Sequence, residues 1–202
     1  MKRLWMTGLI AAGALLSAPA YSAAMVGQPA PAFSAQDVNG KTHNLADYKG
    51  KVVVLEWVNP GCPFVRKHYS GNMQDTQALA TGKGAVWLAV NSTAPTQSDY
   101  KKPGEMAAWM EMQNAKANAT LMDEDGKVGK AYGAKTTPHM YIIDTQGKLV
   151  YAGAIDSIPS AQTEDIDKAT NYVKQAFNEV TAGKPVSKPT TTAYGCTVKY
   201  AK

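Results

Sequence analysis

Val52-Val53-Val54-Leu55-Glu56-Trp57-Val58-Asn59-Pro60-Gly61-Cys62-Pro63-Phe64-Val65-Arg66-Lys67-His68-Tyr69 reads as a buried strand that passes through a tight turn into a helix. The nearly continuous, β-branched run Val52–Val58 has the pattern of a strand covered on both faces and flanked by parallel neighbours. Pro63 suits the first helical position, where its missing N–H is no loss, and the helix is expected to continue to about Thr81. Cys62 therefore stands at a strand-to-helix junction. Unpaired N–H groups and the positive end of the helix dipole favour negative charge on a side chain placed there. Arg66, Lys67 and His68 add positive potential over the next turn. This is the placement of a nucleophile, and it predicts thiol redox chemistry.

Outward from this stretch the pattern is that of an α/β sheet. Asn39-Gly40 is a strong turn signal and predicts a small N-terminal hairpin. Ala85–Val90 is a second buried strand, and Pro103 opens a helix carrying Met106, Trp109 and Met110. Thr136–Asp144 and Lys148–Gly153, joined through Gln146-Gly147, form an antiparallel hairpin. Ile166, Ala169, Tyr172, Val173, Ala176, Phe177 and Val180 recur at spacings of three and four, marking an amphipathic helix. Beyond Gly183, Pro185, Pro189 and a threonine run lead to Ala193-Tyr194-Gly195-Cys196-Thr197-Val198-Lys199-Tyr200, an extended arm. The expected organisation is a leader over residues 1–24, one domain over 25–183, and an arm over 184–202 that carries Cys196. The domain is long enough to build its own core without staples.

The leader is read from Lys2 and Arg3, an uncharged apolar run from Leu4 to Leu16, and the small-residue region Ser17–Ala24. That is the pattern of a secretory signal peptide, with cleavage after Ser22 or Ala24. The run is short of the roughly twenty residues a membrane span needs. The mature chain is expected in the periplasm, where disulfides persist, with no membrane association after cleavage. Loss of Lys2 and Arg3 takes the formal charge from +5 to +3. The lysines are scattered, with no basic stripe and interleaved aromatics of the kind that nucleic acid needs.

With the elements in this order, the chain resembles the thioredoxin superfamily, in its peroxiredoxin-like redoxin branch related to alkyl hydroperoxide reductase and thiol-specific antioxidant. The resemblance rests on the Pro-Ala-Pro-Ala-Phe opening ending at Phe33, Asp37-Val-Asn-Gly-Lys41, Leu45-Ala-Asp-Tyr48 and the Cys62 junction. It continues through Ala131-Tyr-Gly-Ala134, Thr137-Pro138, Gly147–Gly153 and Tyr194–Tyr200. It implies a central mixed sheet flanked by helices, Cys62 as the attacking cysteine and Pro138 as a cis-proline facing it. Thr137 would then offer its backbone to an extended substrate, and Glu56 would be a buried acid, shifted upward, that moves protons. Two departures from the family pattern stand out. The second cysteine of a C-x-x-C motif is replaced by Val65. The proline and the hydroxyl residue that precede a peroxidatic cysteine are replaced by Leu55 and Asn59, leaving the Asn59 amide as a candidate donor to a peroxide.

Three readings of the two cysteines remain open on the sequence. In the first, Cys62 attacks a peroxide or a protein or small-molecule disulfide, and Cys196 on a mobile arm resolves the product, with electrons from an unidentified thiol reductant. In the second, Cys62 and Cys196 form a structural bond worth roughly 5 kcal/mol of chain entropy. In the third, copper binds near His139-Met140. His43 and His68 read as surface or packing residues. No dinucleotide fingerprint is present, so no cofactor is expected, and no metal in the first two readings.

Overall fold

The computed structural model describes residues 24–201. Apart from Ala24, the expected leader lies outside the described residues. The hairpin comes first, as β1 (Ser34–Asp37) and β2 (Thr42–Asn44), turning at Gly40 with φ 79°. Then follow β3 (Val53–Trp57), α1 (Pro63–His68), α2 (Asn72–Gly82), β4 (Val86–Asn91), α3 (Pro103–Met112), β5 (Ala119–Met122) and α4 (Lys127–Tyr132). The chain closes with β6 (Thr136–Thr137), β7 (His139–Ile143), β8 (Leu149–Gly153), α5 (Tyr172–Thr181) and β9 (Cys196–Thr197).

Seven strands form one mixed sheet in the order β2-β1-β5-β4-β3-β7-β8, and β6 pairs separately with β9. The central strand β3 runs parallel to β4 but antiparallel to β7, so the expectation of parallel neighbours holds on one side only. Alternation along β3 divides the core. Val54 and Val58 face α2, α3 and α5, together with Met73, Met106, Met110 and Phe177. Val53, Leu55 and Trp57 face the other way, with Leu88, Leu121, Tyr132, Tyr141 and Val198. The expected mixed α/β sheet with flanking helices and an N-terminal hairpin is what the chain builds.

Four expectations are corrected. The single helix from Pro63 to Thr81 is two helices, because Gly71 adopts φ 132°, open to glycine but rarely to other residues. The last amphipathic helix begins at Tyr172 rather than Ile166. Asn171 caps it, its side chain accepting from the Lys174 N–H, and a 3-10 turn at Thr163–Asp165 precedes it. β5 and α4 escape the sequence pattern, being four and six residues long, too short to show a period.

The fourth correction is the arm, which is docked rather than loose. Thr191 N–H donates to Ala152 O at 3.2 Å and Ala152 N–H to Pro189 O at 3.0 Å, along β8. Val198 is buried in the face around Trp57. Lys199 O accepts from Ala94 N–H at 2.8 Å, and Tyr200 OH donates to Ala134 O at 2.8 Å. The arm crosses from the outer strand β8 to the cis-proline loop and onward, as a strap over the end of the sheet where Cys62 lies.

Candidate active site

β3 delivers the chain to Val58 at the end of the sheet, and Asn59 shapes the turn that leads to Cys62. The Asn59 side-chain oxygen accepts from Gly61 N–H at 2.7 Å, and its amide donates to Thr93 Oγ1 at 3.1 Å and to Asp99 Oδ2 at 2.8 Å. Both amide hydrogens are therefore committed. Asn59 holds the turn and is not free to polarise a peroxide, contrary to its reading from sequence. Arg66 lies on the exposed side of α1 and donates from Nε to Pro60 O at 2.8 Å, buttressing the same turn rather than pointing at the sulfur. Pro63 opens α1 as expected, and Cys62 is its N-cap residue.

Cys62 is only 2% exposed. Its Sγ donates to the carbonyl oxygen of Thr137 at 3.0 Å, across the cis Thr137–Pro138 bond that the resemblance implied. Thr137 is paired with Cys196 in the antiparallel β6–β9 ladder. Both cysteines are free thiols, and Cys196 packs against the cluster that contains Cys62. Burial, then the hydrogen bond and charge of the neighbouring Cys62 sulfur, push the Cys196 thiol up to about 12. The Thr137 hydroxyl is buried with no partner among the described residues.

Gly195 makes this approach possible. A Cβ there would fall 2.0 Å from Thr137 O and 2.8 Å from its carbonyl carbon, and the backbone has φ 133°. Only glycine lets the strand lie this close to the cis-proline loop.

Glu56 is wholly buried, two residues along β3 from Val54 on the same face. Its carboxylate accepts from Tyr69 OH at 2.8 Å, Gln77 Nε2 at 2.9 Å and Trp87 Nε1 at 2.8 Å. Burial raises its pKa, and the three donors offset part of that rise. The expected upward shift is present. Among the described residues no hydrogen bond joins Glu56 to either cysteine, and its partners tie α1 and α2 to the sheet.

A second buried cluster, which the sequence reading missed, lies behind α1. Lys67 and Asp156 are 2% exposed each and pair at 3.4 Å, with Lys67 Nζ also donating to Ile158 O at 3.2 Å. Tyr194 OH donates to Asp156 Oδ1, and His68 Nε2 lies 3.1 Å from Tyr194 OH. His68 is fully buried, and burial drops its pKa to about 4, so it is neutral at physiological pH. His43, at the hairpin, is also buried, between Asp37 at 2.9 Å and Tyr48. The signal in the sequence was Tyr194, two residues before Cys196, an aromatic in the terminal motif with no role assigned to it.

His139 Nδ1 lies 3.3 Å from the Lys135 N–H and 3.2 Å from Tyr141 OH, while Met140 is buried in the sheet. Among the described residues no three His, Cys, Asp or Glu side chains converge to hold a metal ion.

The AhpC/TSA family pattern matches residues 26–152. Thiol-disulfide oxidoreductase ResA of Geobacillus thermodenitrificans is 27% identical over 128 residues, covering 63% of this chain and 68% of the relative. The Mycobacterium tuberculosis protein Rv2521, provisionally named a peroxiredoxin, is 28% identical over 142 residues, covering 62% of this chain and 82% of its own. An uncharacterized conserved protein from Geobacillus kaustophilus superposes with a TM-score of 0.73 at 28% identity, over 88% of this chain and 93% of that one. The fold is thioredoxin-like.

Proposed function

This chain belongs to the AhpC/TSA family, and from that premise we propose that it is a two-cysteine thiol oxidoreductase in which Cys62 attacks and Cys196 resolves. The observation that carries the reading is that both cysteines meet at one residue, Thr137, with their thiols neighbouring each other. The Cys62 sulfur bonds to the Thr137 carbonyl, and Cys196 is paired with the same residue. Chemistry assigns the order. Cys62 is the N-cap residue of α1, where unpaired N–H groups favour a thiolate, whereas Cys196 lies on strand β9, where burial raises its thiol.

With a peroxide, the Cys62 sulfur takes one oxygen and the O–O bond breaks. The alcohol or water leaves, and Cys62 becomes a sulfenic acid. Cys196 then forms the S–S bond, its proton leaving with the hydroxyl as water. With a disulfide substrate, Cys62 forms the mixed disulfide and releases one thiol. Cys196 displaces the other, and the substrate leaves reduced. In both cases the protein ends as the Cys62–Cys196 disulfide and an external thiol reductant must restore it. Of the influences that raise Cys196, the hydrogen bond and the charge of the Cys62 sulfur are lost once that sulfur has reacted. Burial, the largest of those influences, remains, so the rise is eased only in part.

A structural bond is less well supported by the packing. Val198, Lys199 and Tyr200 already dock the arm without a covalent link. The apolar run and small residues of 1–24 support export to the periplasm, where substrate and reductant would be met.

Mass spectrometry of the purified protein tests the reading, with Cys62→Ser and Cys196→Ser alongside. Treatment with peroxide or a small disulfide should give an intramolecular Cys62–Cys196 bond. Cys196→Ser should trap a sulfenic acid or mixed disulfide at Cys62. A covalent dimer, or a bond that resists mild reductant, would defeat it.

A further inference from the structure

We propose that Tyr194 is the positioning residue of the resolving step, anchoring the arm so that Cys196 is held against Cys62. The inference rests on the reading of Cys196 as the resolving thiol.

Tyr194 docks on α1, the same short helix that Cys62 caps. Its ring meets Phe64 edge-on, centroids 5.8 Å apart, and Lys67 Nζ lies 5.8 Å from the ring centre. The anchor's seat and the nucleophile are thus carried by one six-residue helix. Gly195 follows, lying flat on the Thr137 carbonyl because it has no Cβ, and Cys196 comes next, paired with Thr137.

The phenol hydroxyl is the one link of this device that phenylalanine could not supply. Asn171 Nδ2 donates to Asn72 Oδ1 at 3.2 Å, which turns the Asn72 amide nitrogen toward His68 Nδ1 at 2.9 Å. That ring nitrogen accepts, so the proton of neutral His68 sits on Nε2 and is donated to Tyr194 OH. Tyr194 in turn donates to Asp156, whose carboxylate also takes Lys67 Nζ and the Ile158 N–H. Every donor points along one direction and ends on one buried carboxylate. Such chains polarise one another. A hydroxyl that both accepts and donates is required at residue 194, and the charge at the end of the chain strengthens its bond. No hydrogen bond among the described residues joins this cluster to the Cys62 sulfur. Lys67, Asp156 and Ile158 join α1 to the segment after β8, and Tyr194 fastens the arm to that junction.

The test is a quenched time course on the full chain, reduced and then given one equivalent of hydrogen peroxide or of a small aromatic disulfide. Mass spectrometry follows two quantities, loss of the Cys62 thiol and closure of the Cys62–Cys196 bond. In Tyr194→Phe, closure should slow by about 10- to 100-fold, the range for losing a hydrogen bond to a charged group that positions a reacting thiol. Loss of the Cys62 thiol should not slow, and the sulfenic acid or mixed disulfide should accumulate. His68→Gln, whose amide can still donate to the phenol, should slow closure less than Tyr194→Phe. Closure in Tyr194→Phe at the wild-type rate would overturn the anchor and leave the role of Cys196 standing. Consumption of Cys62 in the wild type with no Cys62–Cys196 bond would overturn both.

Discussion

Burial of Cys62 beneath an arm that lies close on the cis-proline loop predicts that the arm governs access to the thiol, and Gly195→Ala tests this directly. The added methyl would stand 2.0 Å from Thr137 O and 2.8 Å from its carbon, both backbone atoms that cannot swing aside. The strand must retreat by about 1 Å, which takes hydrogen bonds near 2.9 Å beyond useful range. Loss of the two-residue β6–β9 ladder costs about 2–3 kcal/mol of docking free energy at about 1 kcal/mol for each bond with some packing. Because Cys62 is 2% exposed, a reagent reaches it only when the strap is open. The labelling rate scales with the open fraction, and that loss raises it roughly 30- to 150-fold. Iodoacetamide labelling of the reduced protein, read peptide by peptide, gives the number. Thermal melting checks that the fold is otherwise kept. A rate within twofold of wild type, with the fold intact, would show that the strap does not govern access.

Truncation after Gly183 removes Val198 from the core and Tyr200 from its seat over Gly126 and Gly129, and should cost at least about 3 kcal/mol, seen as a lower melting temperature. The pH profile should carry the mark of His68. Its pKa is about 4 in the fold and about 6.5 when unfolded, so between these values the unfolded chain takes up a proton that the fold refuses. Stability falls with acid across that window, by about 3 kcal/mol from this group, and is untouched by it above pH 7. Urea titrations of His68→Gln against wild type should show a shallower slope between pH 4 and 6.5. Glu56→Leu strips the acceptor from Tyr69, Gln77 and Trp87. With each orphaned donor costing about 1–3 kcal/mol, its urea midpoint should drop sharply, or the carboxylate is not the hub that joins these three side chains. Val65→Cys restores a thiol one helical turn from Cys62, and should raise disulfide reductase activity while weakening its dependence on Cys196. An unchanged dependence on Cys196 would show that residue 65 does not reach the sulfur.

The strand Val53–Trp57, the Pro63 helix start and the Asn39-Gly40 turn were legible because each is dictated by a few neighbouring residues. So was the nearness of Cys62 to Pro138, through the order of motifs. What stayed hidden is set by contacts distant in the chain. Lys67 reads as positive potential beside Cys62 and His68 as a surface or packing residue, and burial of Lys67 is made tolerable by Asp156 and the Ile158 carbonyl, 89 and 91 residues on. Tyr194 and His68 are 126 residues apart. The arm was read as loose because prolines and threonines carry no period. In fact its order comes from backbone bonds to Ala152, Lys135 and Ala94 and from the side chains of Thr191, Tyr194, Val198 and Tyr200, all contacts distant in the chain.

The fastening of Thr191 beside β8 also matters when the strand at Cys196 lifts. Thr191 Oγ1 is bound by Ala154 N–H at 2.9 Å and lies 2.7 Å from Tyr151 OH, so the arm is tethered five residues before the thiol. Five residues of extended chain reach about 17 Å. A thiol confined to a sphere of that radius is present at a local concentration of order 0.1 M. If Cys62 is oxidised as proposed, Cys196 at that concentration outcompetes external thiols at millimolar levels even while the site is open. The leash lets a substrate in without surrendering the next step to solution.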